Sequence, residues 1–292
     1  MTFNKNKRLV CLLALLLPLL IQCGKSDSGG DDIVLGGSSN NNNNNSQDAR
    51  AAGNGVRGGE LYDHFWLVTG TTIPDDVYSN HPFTTLRCKS CHGWDYRGAY
   101  GVYGDNYDPK PFAINRDLTQ SRDKSESYLR SAILNTNIHA DYTQYLSSDD
   151  IQDLVAFIKN NMIDTSLFFD FEPEFNEYRI QKGGDQLAGD AFIAQNCQVC
   201  HGGQTTEIKT DLGRYSLGSS MRLKWFETHH KVLYGAPGTN MRPIATSPKN
   251  LLDVLAAFCD FNKYPSLWVD EEDPDIIAEL KEIEETACAN YN

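Results

Sequence analysis

The sequence predicts an all-α protein in which two tandem domains follow an export segment and a low-complexity tether. Three observations support this prediction. The pattern C-x-x-C-H occurs twice, at residues 88–92 and 197–201. Each copy is followed by a Gly- and Pro-rich stretch and then by apolar residues with helical spacing. About 230 residues remain beyond the tether, which suits two domains of roughly 100 residues better than one.

The C-x-x-C-H pattern is typical of an attachment site for a c-type haem. Two thiols on one helical turn can each form a thioether with a haem vinyl group, and the next residue, a histidine, is then placed under the iron. A zinc site made of two C-x-x-C pairs is the alternative, but it leaves both histidines unexplained. We therefore expect two covalently bound haem c groups, attached through Cys88, Cys91, Cys197 and Cys200 and ligated by His92 and His201.

Residues 1–22 have the composition of a signal peptide. Lys5, Lys7 and Arg8 precede an apolar run at residues 9–21, which is shorter than the ~20 residues that a membrane-spanning helix needs. The run ends at Cys23 in a context that resembles the lipobox of bacterial lipoproteins, although Gln22 stands where that pattern prefers a small residue. We expect a lipid anchor at Cys23, with cleavage nearby and a soluble periplasmic protein as the alternative. Both place the mature chain outside the cytoplasm.

Residues 23–57 are rich in Gly, Ser and Asn and include an unbroken run of Asn at residues 40–45. They carry too few large apolar side chains to offset the entropy cost of ordering, so a disordered tether is predicted. The formal charge is −13, and loss of the three basic residues of the signal peptide takes it to −16. This charge excludes nucleic acid or an anionic membrane surface as an electrostatic partner and favours a basic redox protein.

Residues 58–165 form the first predicted domain. A short helix is expected at residues 60–68. A second helix begins behind Ser147 or Ser148, because the apolar residues that follow repeat at helical spacing. Those residues are Ile151, Leu154, Val155 and Ile158. The Gly- and Pro-rich segment between the motif and this helix is expected to wrap the haem.

Residues 184–292 form the second predicted domain. Helices are expected at residues 187–196 and 222–234, and a third begins at Ser247-Pro248, which is an N-cap followed by Pro at the first helical position. A last helix begins at Asp273-Pro274. Its apolar residues are expected to be buried, and they are Ile276, Leu280, Ile283 and Ala287.

The chain has eight cysteines. One lies in the signal peptide, one is the expected lipid site and four belong to the haem motifs, so Cys259 and Cys288 have no other assignment. In an oxidising compartment two spare cysteines form a disulfide by default. We expect this bond to clamp the last two helices as an antiparallel pair. A haem ligand or a redox-active thiol is the alternative.

Residues 58–164 and 184–262 resemble class I cytochrome c. In the second half, residues 234–241 are similar to the loop that delivers the axial methionine in that family, although Arg242 separates Met241 from Pro243. In the first half, residues 94–98 are similar to a less studied group of di-haem cytochromes. The family's methionine position falls there at His139. The resemblance thus implies two tandem class I-like domains, with His139 and Met241 as the sixth iron ligands.

Side chains other than His139 and Met241 could also supply the sixth iron ligands. His64, His81 or an open site are the alternatives to His139 at the first iron. Met221 is the competitor of Met241 at the second iron, although it is expected in the core. His229 and His230 are expected to orient a propionate or to face water.

Electron transfer between redox partners is the favoured function, because both irons are expected to carry six ligands and no catalytic residue is predicted. The first haem, with two histidines, is expected to have the lower potential, since methionine ligation raises it. A di-haem oxidoreductase, such as a thiosulfate dehydrogenase or a cytochrome c peroxidase, is the alternative. A third possible function is that of a structural subunit whose haems are incidental.

Overall fold

The computed structural model describes residues 53–73, 86–104, 110, 113–172, 177–210, 213–268, 271 and 273–291. All of these residues belong to one compact unit. The predicted signal peptide, Cys23, most of the predicted tether and His81 lie outside the described residues. No helix within the described ranges is long and apolar enough to span a membrane.

Helices dominate the described part of the chain, as the sequence predicts. Four short 3₁₀ turns connect them, and a π-turn at Phe157–Asn161 extends one of them. The helices are α1 Gly55–Thr69, α2 Cys88–His92, α3 Glu126–Ile133, α4 Ser148–Ala156, α5 Gln186–Asn196, α6 Gln198–His201, α7 Leu217–Leu223, α8 Trp225–Tyr234, α9 Pro248–Phe258 and α10 Pro274–Ala287.

A short antiparallel hairpin joins the two halves of the chain and is not part of the predicted all-α fold. Strand β1, Phe169–Glu172, pairs with β2, Glu177–Ile180, with Phe169 opposite Ile180. Both residues of that pair are buried, so the connection between the halves is part of the core.

Helix α1 begins before the predicted end of the tether at residue 57. The side chain of Asn54 accepts hydrogen bonds from the backbone N–H groups of Val56 and Arg57, both at 3.1 Å. This cap satisfies two N–H groups that the first turn of a helix otherwise leaves without partners. Ordered structure therefore includes the last residues of the stretch predicted as tether.

The same helix pair occurs in both halves. Helix α1 packs on α4 in the first half, and α5 packs on α9 in the second. In each pair an aspartate of the later helix accepts a hydrogen bond from the backbone N–H of the residue that caps the earlier helix. Asn54 N donates to Asp153 Oδ1 at 2.6 Å, and Asp185 N donates to Asp253 Oδ1 at 2.6 Å.

A glycine brings the two helices of each pair into close contact. A Cβ atom added to Gly58 would lie 2.1 Å from the Asp153 carbonyl oxygen, and one added to Gly189 would lie 2.0 Å from that of Asp253. Both distances are far below van der Waals contact, so only glycine allows this approach. The same contact between a glycine and a backbone carbonyl oxygen thus occurs once in each half of the chain.

The hydrophobic cores of the two halves interpenetrate. Trp94, which follows the first motif, packs in the cluster formed mainly by the second half. Tyr234, at the end of α8, packs in the cluster of the first half. His230 lies at the junction, where its Nε2 is 3.0 Å from the Gly59 carbonyl oxygen and its Nδ1 is 3.1 Å from the Tyr96 hydroxyl.

The expected disulfide is present between Cys259 and Cys288. The expected antiparallel arrangement is wrong. Each cysteine directly follows the C-terminal end of its helix, α9 or α10, so the bond joins two C-terminal ends. An antiparallel pair would bring one C-terminal end to an N-terminal end. Helix α10 instead packs against α7 and β2.

Helix α10 buries only one of the four apolar residues expected to face the core, Ala287, and Leu280 is half-buried. Ile276 and Ile283 are 43% and 37% exposed. Glu284 is fully buried instead, and its carboxylate accepts a hydrogen bond from Arg222 Nε at 2.6 Å and one from Trp268 Nε1 at 3.0 Å. A buried carboxylate needs such partners to compensate for lost hydration, and they come from distant parts of the chain.

Candidate haem sites

The first C-x-x-C-H motif forms a single helical turn, α2, which ends at Gly93 with φ +79°. The Gly93 carbonyl oxygen accepts a hydrogen bond from the buried Tyr62 hydroxyl at 2.6 Å. Neither Cys88 nor Cys91 is part of a disulfide, so both sulfurs are available for thioether bonds.

His139 lies opposite His92. The centroids of the two imidazole rings are 6.2 Å apart, and the rings are inclined by 34°. Two imidazoles on opposite sides of one metal, each bound through a nitrogen at about 2 Å, have centroids roughly 6 Å apart. The spacing therefore fits an iron between the two rings, and with Cys88 and Cys91 beside them these residues fit a covalently attached haem.

The His139 ring is held so that one nitrogen remains available. Its Nδ1 is 3.0 Å from the Ala132 carbonyl oxygen, an arrangement in which Nδ1–H donates and Nε2 carries the free lone pair. Burial lowers the pKa of His139, so the ring is neutral at pH 7, the form that binds metals. A hydrogen bond of this kind on the second nitrogen is usual for ligating histidines.

His92 is more deeply enclosed. Burial, together with the charges of the neighbouring His139 and Arg116, lowers its pKa to about 4. Its Nδ1 is buried and has no hydrogen-bond partner among the described residues. The Ala132 carbonyl oxygen thus holds Nδ1 of His139, whereas no described residue holds Nδ1 of His92.

Two neighbours of this site carried no signal in the sequence. Tyr142 lies with its ring centroid 5.9 Å from that of His139, and its hydroxyl donates to the Leu86 carbonyl oxygen at 3.0 Å. Arg116 is close enough to both histidines to lower their pKa values. Neither residue belongs to a recognisable motif, and each reaches the site only through the course of the segment that follows the first motif.

The alternative ligand His64 is placed elsewhere. It interrupts α1 with a non-helical backbone conformation, φ −155° and ψ 69°. Its ring lies edge-on to Trp66 at 4.1 Å, and burial lowers its pKa to about 4. His139, and not His64, is the ring that contacts His92. His81 lies outside the described residues.

The second motif is built in the same way as the first. Helix α6 ends at Gly202 with φ +78°, as α2 ends at Gly93. His201 Nδ1 is 2.9 Å from the Ile208 carbonyl oxygen, which leaves its Nε2 available, and burial lowers its pKa. Cys197 is buried and Cys200 is exposed, and neither is part of a disulfide.

Met241 lies in the loop after α8 and packs, half-buried, against the hydrophobic cluster that contains Cys197. The loop is held by hydrogen bonds from Ala236 N to the Met241 carbonyl oxygen and from Met241 N to Thr239 Oγ1, both at 3.1 Å. Met221, the competing ligand, is fully buried in α7 within the same cluster. Both sulfur donors thus lie around the core that adjoins the second motif.

The described residues contain no group of three or more His, Cys, Asp or Glu side chains that could hold a bare metal ion. The zinc alternative therefore finds no support in that part of the chain. The donor set that the structure brings together there is the first cysteine–histidine motif with the facing His139.

Comparison with known proteins agrees with the first site. A family model described as cytochrome c matches residues 80–161, a range that includes the first motif, His139 and α4. No curated protein and no solved structure matched the chain. The motif and this match indicate a haem-binding electron-transfer domain in the first half of the chain. The chain carries a cytochrome c domain at residues 80–161, and this family implies covalently bound haem c as the cofactor.

Proposed function

We propose that this protein is an extracytoplasmic di-haem c-type cytochrome that transfers electrons between redox partners. The facing rings of His92 and His139, with centroids 6.2 Å apart, carry this proposal. An iron with a protein ligand on each side has no vacant position for a substrate. The site therefore suits an electron carrier better than an oxidoreductase.

A second haem domain in residues 184–292 is part of this proposal. Its support is the repeated construction of the two halves: a C-x-x-C-H turn closed by a left-handed glycine, and a helix pair joined by one aspartate and one glycine contact. Gly189 and Asp253 reproduce the contact of Gly58 and Asp153. His201 and Met241 are the proposed axial ligands of the second iron.

Bound haem c supplies the one-electron chemistry of its iron, and the chain's residues control where and at what potential it occurs. Histidines on both sides of the first iron favour a low potential, and methionine at the second raises it. Buried aromatic side chains such as Tyr62 and Trp94 exclude water from the region between the halves. Electrons that enter at the first site are expected to settle at the second.

Location and partners are proposed from the sequence. The export segment and Cys23 support a lipid-anchored protein in the periplasm or at the cell surface. A formal charge of −13 favours a redox partner with a basic docking face, since opposite charge speeds encounter. Neither nucleic acid nor a substrate is part of this proposal.

The oxidoreductase alternative needs an open iron or an unusual ligand. A thiosulfate dehydrogenase carries a cysteine ligand on one haem. Cys259 and Cys288 are the only cysteines outside the motifs in the predicted mature domains, and they are joined to each other. They are therefore not available as thiolate ligands, which favours the carrier over this enzyme.

The test is haem count combined with spin state. The mature chain, expressed with a c-type maturation system, should contain about two haems per polypeptide by pyridine haemochrome assay. Changing Cys197 and Cys200 to Ser should leave one, and so should the matched change of Cys88 and Cys91. The ferric protein should be entirely low-spin by electron spin resonance. One haem in the unaltered chain would overturn the di-haem proposal, and a resting high-spin fraction would favour the enzyme.

A further inference from the structure

Helix α10 buries a carboxylate and exposes large apolar side chains. Glu284 is fully buried, whereas Ile276 and Ile283 are 43% and 37% exposed. A helix that only supports a core does the opposite: its apolar stripe faces inward and its charges face water. A buried charge and exposed apolar surface are the informative departures from that rule, and α10 shows both. The outward side of this helix therefore requires an explanation.

Two parallel rows of side chains form the outward side of α10. The members of the apolar row are large aliphatic residues, of which the middle one is half-buried: Ile276, Leu280 and Ile283. The members of the acidic row are exposed carboxylates: Asp275, Glu279 and Glu282. Both rows have the spacing i, i+4, i+7, and each acid directly precedes an apolar residue. The two rows therefore run side by side along the helix, and together they are named the α10 face.

No other α-helix among the described residues has two exposed large apolar side chains. Such side chains occur singly elsewhere: Leu67 on α1, Tyr128 on α3, Leu187 on α5 and Val199 on α6. Single exposed apolar residues are normal on a protein surface, whereas contiguous ones bordered by polar groups are typical of interaction sites. The α10 face thus differs in kind from the rest of the described helical surface.

Helix α10 is fixed to the second half through residues outside this face. The buried Glu284 accepts a hydrogen bond from Arg222 Nε at 2.6 Å, and Cys288, which follows the helix, is bonded to Cys259 at the end of α9. Helix α9 in turn packs on α5, which leads into the second motif. The α10 face is therefore preformed, so a partner that binds it orders little of the chain. It belongs to the half proposed to hold the second haem.

We propose that the α10 face is the docking surface for a basic redox protein that exchanges electrons with this chain. The acidic row attracts lysine and arginine side chains of the partner, and the apolar row contacts an apolar centre between them. A second copy of the chain does not fit, because two acidic rows repel each other and each chain has a formal charge of −13. Electron-transfer complexes have small interfaces, which suits a narrow apolar row with a charged border. This inference rests on the proposed function.

Carbodiimide crosslinking tests the proposal on the unaltered holoprotein of the full mature chain. The probe is a lysine-rich mitochondrial cytochrome c, mixed with the holoprotein at low ionic strength. The reagent joins carboxylates to lysines that touch in the complex, and mass spectrometry identifies the linked residues. Crosslinks should concentrate at the acidic row. Crosslinks that concentrate on acidic residues of other elements would overturn the proposal.

Two variants separate the acidic row from net charge. D275N/E279Q/E282Q should lower the second-order rate constant for reduction of the probe about tenfold at low salt, because the local field that steers the partner is lost. The difference should disappear at high salt. The matched variant D123N/E126Q/D149N removes the same number of charges from exposed residues of the first half and should lower the rate constant less than about twofold. Equal effects of the two variants would contradict a local docking surface.

The apolar row is tested by affinity. I276Q/I283Q should weaken binding of the probe about fivefold in titration calorimetry with both proteins oxidised, because apolar area that the complex would bury is lost. L167Q/L187Q is the matched control, since it changes two exposed apolar residues on separate elements. It should leave the affinity unchanged. If the control weakened binding as much as I276Q/I283Q, the apolar row would have no special role and the proposal would fail.

Sedimentation of the holoprotein alone tests the other occupant. We expect a monomer, and a dimer that I276Q/I283Q dissociates would assign the α10 face to a second copy and overturn the proposal. Haem count and circular dichroism of each variant show that cofactor and fold are retained. These results are distinct from failure of the proposed function. A two-haem chain that reduces the probe through another surface would refute only the docking site, whereas a chain with one haem would refute the di-haem proposal.

Discussion

At the residue scale, the two imidazoles of the first haem site have different supports. His139 is oriented by the Ala132 carbonyl oxygen, whereas His92 is positioned by the helical turn of its own motif. In the proposed site His92 would in addition be held by the thioether bonds of the adjacent cysteines. The His139 ring is held by that hydrogen bond and by packing against Tyr142. Loss of His139 should therefore open the site without loss of the cofactor.

We expect His139→Ala to retain two haems per chain while the first becomes high-spin and binds carbon monoxide. The covalent attachment through Cys88 and Cys91 does not depend on the sixth ligand. Optical spectra with and without carbon monoxide measure the change. His64→Ala is the matched control and should leave the first haem low-spin. If His64→Ala opened the site and His139→Ala did not, the ligand assignment would be wrong.

At the element scale, stability depends on the close approach of two helix pairs. In the second pair Gly189 contacts the backbone of α9, and the Asp253 carboxylate binds the first turn of α5. The disulfide then joins the C-terminal ends of α9 and α10. The packing of Gly189 and the Cys259–Cys288 disulfide both constrain the second half, and each can be removed separately by mutation.

Gly189→Ala should lower the free energy of unfolding by about 1–3 kcal/mol, the usual cost of forcing an extra carbon into a packed contact. The added Cβ would lie 2.0 Å from the Asp253 carbonyl oxygen. Gly203→Ala is the matched control, since a Cβ there meets nothing within 4 Å. Urea denaturation followed by circular dichroism gives both values. Equal stability of the two variants would contradict the packing argument.

Replacing both Cys259 and Cys288 with Ser should lower the free energy of unfolding by about 2–4 kcal/mol. The disulfide restricts the unfolded chain across a sequence separation of 29, and its loss gives the unfolded state more conformational freedom. Both haem spectra should be unchanged, since neither sulfur is an iron ligand. Thermal unfolding and optical spectra of the same sample test the two statements. A shift in either haem spectrum would point to a ligand role for one of these cysteines.

At the scale of the whole molecule, charge as well as apolar contact links the two halves. Asp63 of α1 pairs with Arg87, and burial would by itself raise the pKa of this carboxyl. The positive charges of Arg87 and of Lys231, which belongs to the second half, outweigh burial and lower it. An aspartate with a lowered pKa in the folded state stabilises the protein above its unfolded pKa.

Asp63→Asn should therefore lower the free energy of unfolding at pH 7. The gap between the unfolding free energies of the variant and the unaltered chain should shrink as the pH falls through the lowered pKa of Asp63. Below that pH the carboxyl is protonated in both states and its contribution is lost. Denaturation at a series of pH values measures this. Asp123→Asn is a control, because Asp123 lies in an exposed turn of the first half. A pH-independent loss for Asp63→Asn would rule out the charge explanation.

The sequence by itself determined what depends on residues close together in the chain. The two C-x-x-C-H turns, the caps of α4 and α9 and their apolar repeats are local patterns, and they fold as local patterns predict. The disulfide could be predicted as well, because only two cysteines remained for it. The export segment and the tether rest on composition alone, and all but the last residues of the tether lie outside the described residues.

Only the tertiary structure decided which distant groups meet. The hairpin β1–β2, the orientation of α10 and the burial of Glu284 against Arg222 were not predicted, because helical periodicity specifies an apolar face but not the surface that covers it. The placement of His139 beside His92 depends in the same way on contacts between separate elements. A side chain's partners are set by the packing of the whole chain, and no local spacing records them.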